Sequence, residues 1–217
     1  MITVISTGFA HKAKEKCIAS VREQRGCDFE HVYVEASEQN PPKCALENFY
    51  DVAMTLPPDR IIACLDGDDW LANDRSLKRV ADIYAEHPET LVTYGQYQLA
   101  WPFGVVPGCS PHVKPPRQDV WRASHLKTFR AGIFQRIKKE DLMWEGKFAE
   151  FTCDQIVMFP ILEMAGPDRT FFNREVIYIY DISHAQAWVR NRGEFEIAQA
   201  IERAARVKPP YERIASL

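Results

Sequence analysis

The run Ile61-Ile62-Ala63-Cys64-Leu65-Asp66-Gly67-Asp68-Asp69-Trp70-Leu71 decides how this chain reads. Its apolar opening is the signature of a short buried strand, and carboxylates gather where that strand should end. Asp66, Asp68 and Asp69 fall within four residues and repel one another. A hard divalent cation relieves such repulsion while keeping waters or phosphate oxygens among its ligands, so metal-assisted phosphate chemistry is the first reading. A tight turn is the second, because Asp-Gly is a strong hairpin signal and acids are common in loops. These residues alone leave both open.

Outward from the cluster, the pattern alternates. Ile2 to Ser6 reads as a strand, Thr7-Gly8 as a turn, and Lys12 to Gln24 as a helix with Cys17, Ile18 and Val21 at helical spacing. His31 to Val34 makes a second strand running into Glu35-Ala36-Ser37. The chain breaks at Pro41-Pro42, and Ala45 to Met54 makes a second helix. After Pro57-Pro58-Asp59 comes the third strand, Arg60 to Leu65, and then an amphipathic helix from Asp74 to Glu86 through Leu77, Val80, Ala81 and Tyr84. Such alternation predicts a mostly parallel sheet with helices on its faces. In sheets of that kind ligands bind outside the carboxyl ends of the strands. That rule selects Ser6-Thr7-Gly8, Glu35-Ala36-Ser37, Asp66 to Asp69, and Asp181 with His184 after a late strand, Val176 to Tyr180.

The second half is less regular. Leu91 to Leu99 has strand character, but Trp101 to Arg117 holds five prolines and two glycines and predicts a long loop, of the kind that forms a lid or merely runs over the surface. A mixed segment follows from His125 to Ile137, then a helix from Asp154 to Ala165 that Pro160 should kink, and a last helix from about Glu194 to Val207. Residues 208–217, opened by Pro209-Pro210, read as a frayed tail.

With 217 residues, 46% of them hydrophobic, the chain is expected to form a single domain. A net charge of -3 excludes a generally basic surface for nucleic acid or anionic lipid. The six cysteines are scattered without a C-x-x-C pair, which favours free thiols in a reducing compartment over a zinc site. No apolar run approaches the roughly 18 residues of a membrane span and no leader pattern opens the chain, so the expectation is a cytoplasmic protein without an integral membrane segment.

Over roughly residues 1–185 the chain resembles the family 2 glycosyltransferases, in particular a bacterial and viral branch of them. Leu65-Asp66-Gly67-Asp68-Asp69 is similar to the family's L-D-x-D-D motif, and Glu35-Ala36 stands where members commonly carry Asp-Asp. Thr152-Cys153-Asp154-Gln155, running into an apolar helix and Gly166, resembles the later element whose acidic pair ends in the general base; Cys153 replaces the Glu, and Asp154 is kept. The segment from His125 to Arg130 and the strand Val176 to Tyr180 complete the likeness.

The resemblance implies a GT-A fold: a Rossmann-like, mostly parallel central sheet flanked by helices. Residues 1–207 would form one domain, with a nucleotide-sugar-binding half (1–100) and an acceptor half (101–190). It implies an inverting transfer from a nucleotide sugar, a UDP-sugar first, to an acceptor hydroxyl, assisted by Mn2+ or Mg2+. Asp68 would be the primary metal ligand, Asp66 a ribose or metal contact, Asp69 a support for the loop or the metal's water shell, and His184 a further ligand. Ser6, Thr7, Glu35 and Gly67 would contact the donor. Asp154 would be the general base, with helix N-capping as its structural alternative. Lys127 and Arg130 are either phosphate or acceptor contacts or an ordinary solvated face. Trp101, Phe103, Trp121 and Trp144 either stack on a ligand or fill the core. Glycan, protein and a hydroxylated base all remain open as acceptors, and the oligomeric state is not indicated. A nucleotidyltransferase or pyrophosphorylase is the competing enzyme class, although Ser6 to Lys12 offers a single glycine for a phosphate loop. A non-catalytic nucleotide-sugar-binding module is the third reading.

Overall fold

The computed structural model describes residues 1–8, 13–35, 43–100, 104–182 and 192–217. Strand β1 (Ile2–Gly8), helix α1 (Lys14–Arg22), β2 (Phe29–Glu35), α2 (Ala45–Ala53), β3 (Ile61–Cys64) and α3 (Ser76–Glu86) follow the predicted alternation with ends shifted by a few residues. The short β4 (Trp70–Leu71) precedes α3, and β5 (Val92–Gly95) and β6 (Gln98–Leu99) divide the region read as one strand. Beyond the long loop lie β7 (Lys127–Arg130), α4 (Ala131–Phe134), the hairpin β8 (Met143–Trp144) and β9 (Lys147–Phe148), and α5 (Cys153–Ala165). The last elements are β10 (Thr170–Asn173), β11 (Tyr178–Tyr180) and α6 (Arg192–Val207). No helix among the described residues is long and apolar enough to cross a membrane.

The main sheet has six strands in the order β10-β5-β7-β3-β1-β2. β1 pairs in parallel with β2 and β3, and β5 with β10, while β7 runs antiparallel to both β3 and β5. The period of two along the strands sorts the core into two layers. Ile5, Ile62 and Phe129 face α2, α4, α5 and α6, whereas Ile2, Val4, Ile61 and Ala63 face Cys17 and Val21 of α1 and Leu77, Val80 and Tyr84 of α3. A small second sheet, β4-β11-β6, is joined directly to the acidic run through β4.

The direction of β7 matters most for the site. Its register sets Lys127 opposite Cys64 and Arg130 opposite Ile61, so only its amino end reaches the carboxyl end of β3. Helix α5 runs continuously through Pro160 and is buried from Ile156 to Leu162, which makes it a core helix apolar on all sides rather than an amphipathic one.

One expectation is corrected here. The tail is not frayed: the Tyr211 hydroxyl donates to Asp141 at 2.5 Å, the Ile214 amide to the Met164 carbonyl at 3.1 Å, and Arg169 to the Ile214 carbonyl at 2.6 Å. Of the long loop, residues 109–119 are tied to the rest of the domain. The Gln96 side chain brackets the Cys109 backbone with two 2.9 Å bonds, the His112 amide donates to the Tyr94 hydroxyl, and Arg117 is buried in a bidentate pair with Glu163. Trp121 packs against Phe159 and Trp144 against the same core; Trp101 and Phe103 lie outside the described residues.

Candidate functional site

The acidic loop is built on backbone contact between β1 and the end of β3. The Leu65 amide donates to the Ile5 carbonyl at 3.1 Å, and the Gly67 amide to the Thr7 carbonyl at 3.1 Å. A Cβ on Gly67 would lie 2.9 Å from that Thr7 oxygen and 3.0 Å from Gly8 Cα, so only glycine lets the two chains meet this closely. The loop closes with the Asp69 amide donating to the Asp66 carbonyl at 3.0 Å. It is a tight turn as well as an acidic cluster, and the two readings of the sequence coexist.

Asp69 is fully buried and points into the fold. Its Oδ2 accepts from the Tyr178 hydroxyl at 2.5 Å and its Oδ1 from the Asp181 amide at 2.7 Å. Asp68 is half-buried beside it, and Asp66 opens into a cavity of about 610 Å³. Asp66 is itself exposed to solvent within that cavity, and the protein packed around it pushes its carboxyl up to about 6; Lys127 works against this, and Asp68 and Asp154 add to it. Burial, reinforced by Asp66 and Asp68, pushes Asp69 up to about 9. The like charges of the cluster disfavour one another's ionisation, and a counter-cation would relieve that repulsion.

Across the cavity stands Asp154, in the first turn of α5. The cap of that helix is Thr152, in a left-handed conformation with no side-chain cap bond, and its hydroxyl instead donates to the Ala198 carbonyl at 3.0 Å. Asp154 thus does not occupy the capping position.

The amino end of β7 supplies Lys127, buried and lining the same cavity, and beside it stands His125, to which the sequence pattern assigns no role. The His125 ring is stacked between Tyr178 (4.5 Å, 17°) and Tyr180 (5.1 Å, 22°). Burial, with the Lys127 charge beside it, holds the imidazole well below its ordinary value and hence neutral. Lys127 Nζ lies 3.3 Å from His125 Nδ1; an ammonium only donates, so Nδ1 is the acceptor and the ring proton sits on Nε2. Among the described residues, Asp66, Asp69 and His125 each bring a ligand atom within 4.8 Å of the others. The signal that would have found His125 is its period-two spacing from Lys127 at the end of a strand.

The remaining predicted residues divide. Thr7 lines the cavity. Ser6 is buried beneath it, with its hydroxyl engaged by Cys17 Sγ at 3.6 Å and His31 Nε2 at 3.0 Å. Glu35, beside Gly8 in the register, is buried and ion-paired with Lys14. Arg130 is not part of the site: it lies at the opposite end of β7, where its guanidinium donates to the Thr90 carbonyl at 3.3 Å and the Asp59 carbonyl at 3.2 Å. His184 lies outside the described residues.

At the level of sequence, no known family profile and no curated protein matches the chain. In three dimensions it is similar to residues 1–349 of TarS from S. aureus, with a TM-score of 0.61 at 16% identity over 92% of this chain and 64% of that one. The same TarS fragment in complex with UDP-GlcNAc gives 0.61 at 14%, over 92% and 65%. A mannosyltransferase from Pyrobaculum calidifontis, PcManGT, in complex with GDP-Man and Mn2+, gives 0.54 at 13%, over 97% and 65%. The chain therefore spans just under two thirds of each of these structures. The likeness establishes the architecture: a single α/β domain with the GT-A fold.

Proposed function

We propose that this chain is an inverting, metal-dependent glycosyltransferase, moving a sugar from a nucleoside diphosphate sugar to an acceptor hydroxyl. The observation that carries the reading is that Asp66, from the end of a central strand, and Asp154, from the start of the buried helix, line one cavity with Lys127 beside Asp66. The TarS and PcManGT structures, which hold UDP-GlcNAc and GDP-Man with Mn2+, support a nucleotide-sugar donor for the fold.

In this reading residues 1–100 build the donor side, with Thr7 and the Gly67 backbone against the nucleotide and Glu35 near its base or ribose. Residues 101–190 build the acceptor side, and α6, which lies beyond that half, adds a further wall. A Mn2+ or Mg2+ ion would be held by Asp68 and Asp66, with Asp69 bracing the loop from behind; it would supply positive charge to the leaving diphosphate. Lys127 offers a fixed ammonium to the same phosphates. Asp154 takes the proton of the acceptor hydroxyl as its oxygen forms the new bond to the anomeric carbon. The bond from that carbon to the phosphate oxygen breaks on the opposite face, and the nucleoside diphosphate departs with the electron pair.

The test is incubation with Mn2+ and a panel of UDP- and GDP-sugars, measuring donor-induced thermal shift and released nucleotide, repeated for Asp154→Asn. Donor affinity should be retained in the variant while transfer falls by roughly 10²-fold, the scale of losing a general base. Near wild-type transfer by Asp154→Asn would remove it from the mechanism, and failure of every donor to bind would remove the whole reading.

A further inference from the structure

The wall of the cavity beyond Asp154 carries information about the acceptor. Among the described residues, the lining contributed by the approach to α5 and by α6 includes the carboxylates Glu150, Asp154 and Glu202. The same stretch presents the rings of Phe151 and Phe195 and the amides of Gln155 and Gln199, and its described lining has no cationic side chain. The ammonium of Lys127 is on the donor side, against Asp66. The cation paired with Glu202 is Arg206, whose Nε donates to it at 2.9 Å, whose Nη1 donates to the Arg117 and Asp119 carbonyls at 2.9 and 2.8 Å, and whose Nη2 lies 3.5 Å from Gln155 Oε1; it does not line the cavity.

Three properties of that wall point the same way. Ionised carboxylates accept hydrogen bonds and do not donate them, so they recognise hydroxyl and ammonium groups and reject phosphate and carboxylate. In a partly enclosed cavity the like-charge penalty is several times larger than in open water. Flat aromatic faces next to side-chain amides and carboxylates match the two faces of a sugar ring, whose C–H surface packs on the ring while its hydroxyls reach the polar groups.

We infer that the acceptor subsite between α5 and α6 takes a sugar without acidic groups, and that Glu150 and Glu202 exclude acceptors bearing phosphate or carboxylate next to the reacting hydroxyl. This rests on the transferase reading for the reaction but not for the binding. It sets aside a nucleic-acid base as the acceptor, because the flanking phosphates would have to enter an acid-walled chamber.

The experiment uses matched probes, para-nitrophenyl glucoside against para-nitrophenyl glucuronide and the corresponding galactoside pair, which differ only in one carboxylate. Binding to the whole chain is followed by saturation-transfer NMR and calorimetry, with and without Mn2+ and donor, and transfer is followed where a donor is turned over. Neutral glycosides should bind at least about tenfold tighter than their acidic partners, the order expected for one like-charge contact in such a site. In Glu150→Gln/Glu202→Gln the gap should close to within about threefold while donor affinity stays unchanged. Gln keeps size and hydrogen bonding, so a circular dichroism melt superimposable on wild type is expected. Equal or tighter binding of the acidic glycosides, a gap that survives the double substitution, or no binding of any glycoside would overturn the inference. Loss of donor binding alone would overturn the transferase reading and leave this one standing.

Discussion

The Tyr178 hydroxyl donates to Asp69 Oδ2 at 2.5 Å and accepts the Asp66 amide at 3.3 Å, so one oxygen on β11 holds both ends of the acidic turn. This contact fastens the small second sheet to the end of β3. Tyr178→Phe leaves a buried carboxylate oxygen and a backbone N–H short of a partner, and the expected loss is about 1–3 kcal/mol of stability for the unsatisfied groups. Urea denaturation of the two proteins measures it. An unchanged midpoint would mean that the turn holds its shape without β11.

Two glycines at the same place should respond differently to a methyl group. A Cβ on Gly8 would meet the Tyr33 hydroxyl at 2.9 Å and Gly67 Cα at 3.2 Å, whereas one on Gly67 would meet backbone atoms at 2.9 and 3.0 Å as well as that hydroxyl at 2.8 Å. The Tyr33 hydroxyl is itself buried with no hydrogen-bond partner among the described residues. Tyr33→Phe is therefore expected to cost little. It should rescue most of the roughly 1–3 kcal/mol lost in Gly8→Ala and very little of the loss in Gly67→Ala. A double-mutant cycle read by thermal melting separates the cases, and equal rescue of both would contradict the geometry.

Acid should loosen the fold through a residue outside the acidic turn. Burial, with the Arg22 charge nearby, lowers His31 from 6.5 to about 4, so the folded protein holds it neutral. Because the folded value lies below the unfolded one, its contribution is complete above about pH 6.5 and is lost as pH falls through about 4. His31→Gln should flatten the decline of melting temperature over this window. His112 and His125 are pushed in the same direction by burial, so part of the slope should persist. A variant curve parallel to the wild type would show that His31 does not titrate across the transition.

Removing one ligand from a hard-ion site lowers affinity without disturbing a core. Asp68 is half-buried in the turn, outside both apolar clusters. Asp68→Asn is expected to weaken Mn2+-dependent binding of a nucleoside diphosphate by at least about tenfold with the melting curve preserved. Titration calorimetry with Mn2+ and with a chelator supplies both comparisons; equal affinity in chelator would exclude a metal-bridged site.

The first half of the fold was legible because its signals are local. Each strand from β1 to β3 is a short apolar run followed by a punctuating turn and a helix, and the acidic cluster inherits its position from that alternation. The second half depends on partners distant in sequence. Lys127 to Arg130 carries a charge at each end, and nothing within it says that it lies between β3 and β5 or which way it runs. That direction decides the site, since a strand rises about 3.3 Å per residue and so carries Arg130 about 10 Å away from Lys127. His125 escaped notice for the same reason. The tail was misread because Pro209-Pro210 announces a break, whereas the contacts that fasten it belong to Tyr211 and Ile214 and to partners on α5 and near Asp141.

The position of β7 also constrains how the chain reaches this state. β1, β2 and β3 can assemble as an N-terminal unit from neighbours in sequence, but β5 and β10 join the sheet only through β7, which is made much later in the chain than β3. β7 must therefore enter between β3 and β5 rather than add to a free outer edge, and the loop it closes contains the whole proline-rich segment. Pairings of such long sequence separation make folding slow. Until β7 docks, β3 presents an open hydrogen-bonding edge, the kind of surface on which newly made chains associate wrongly.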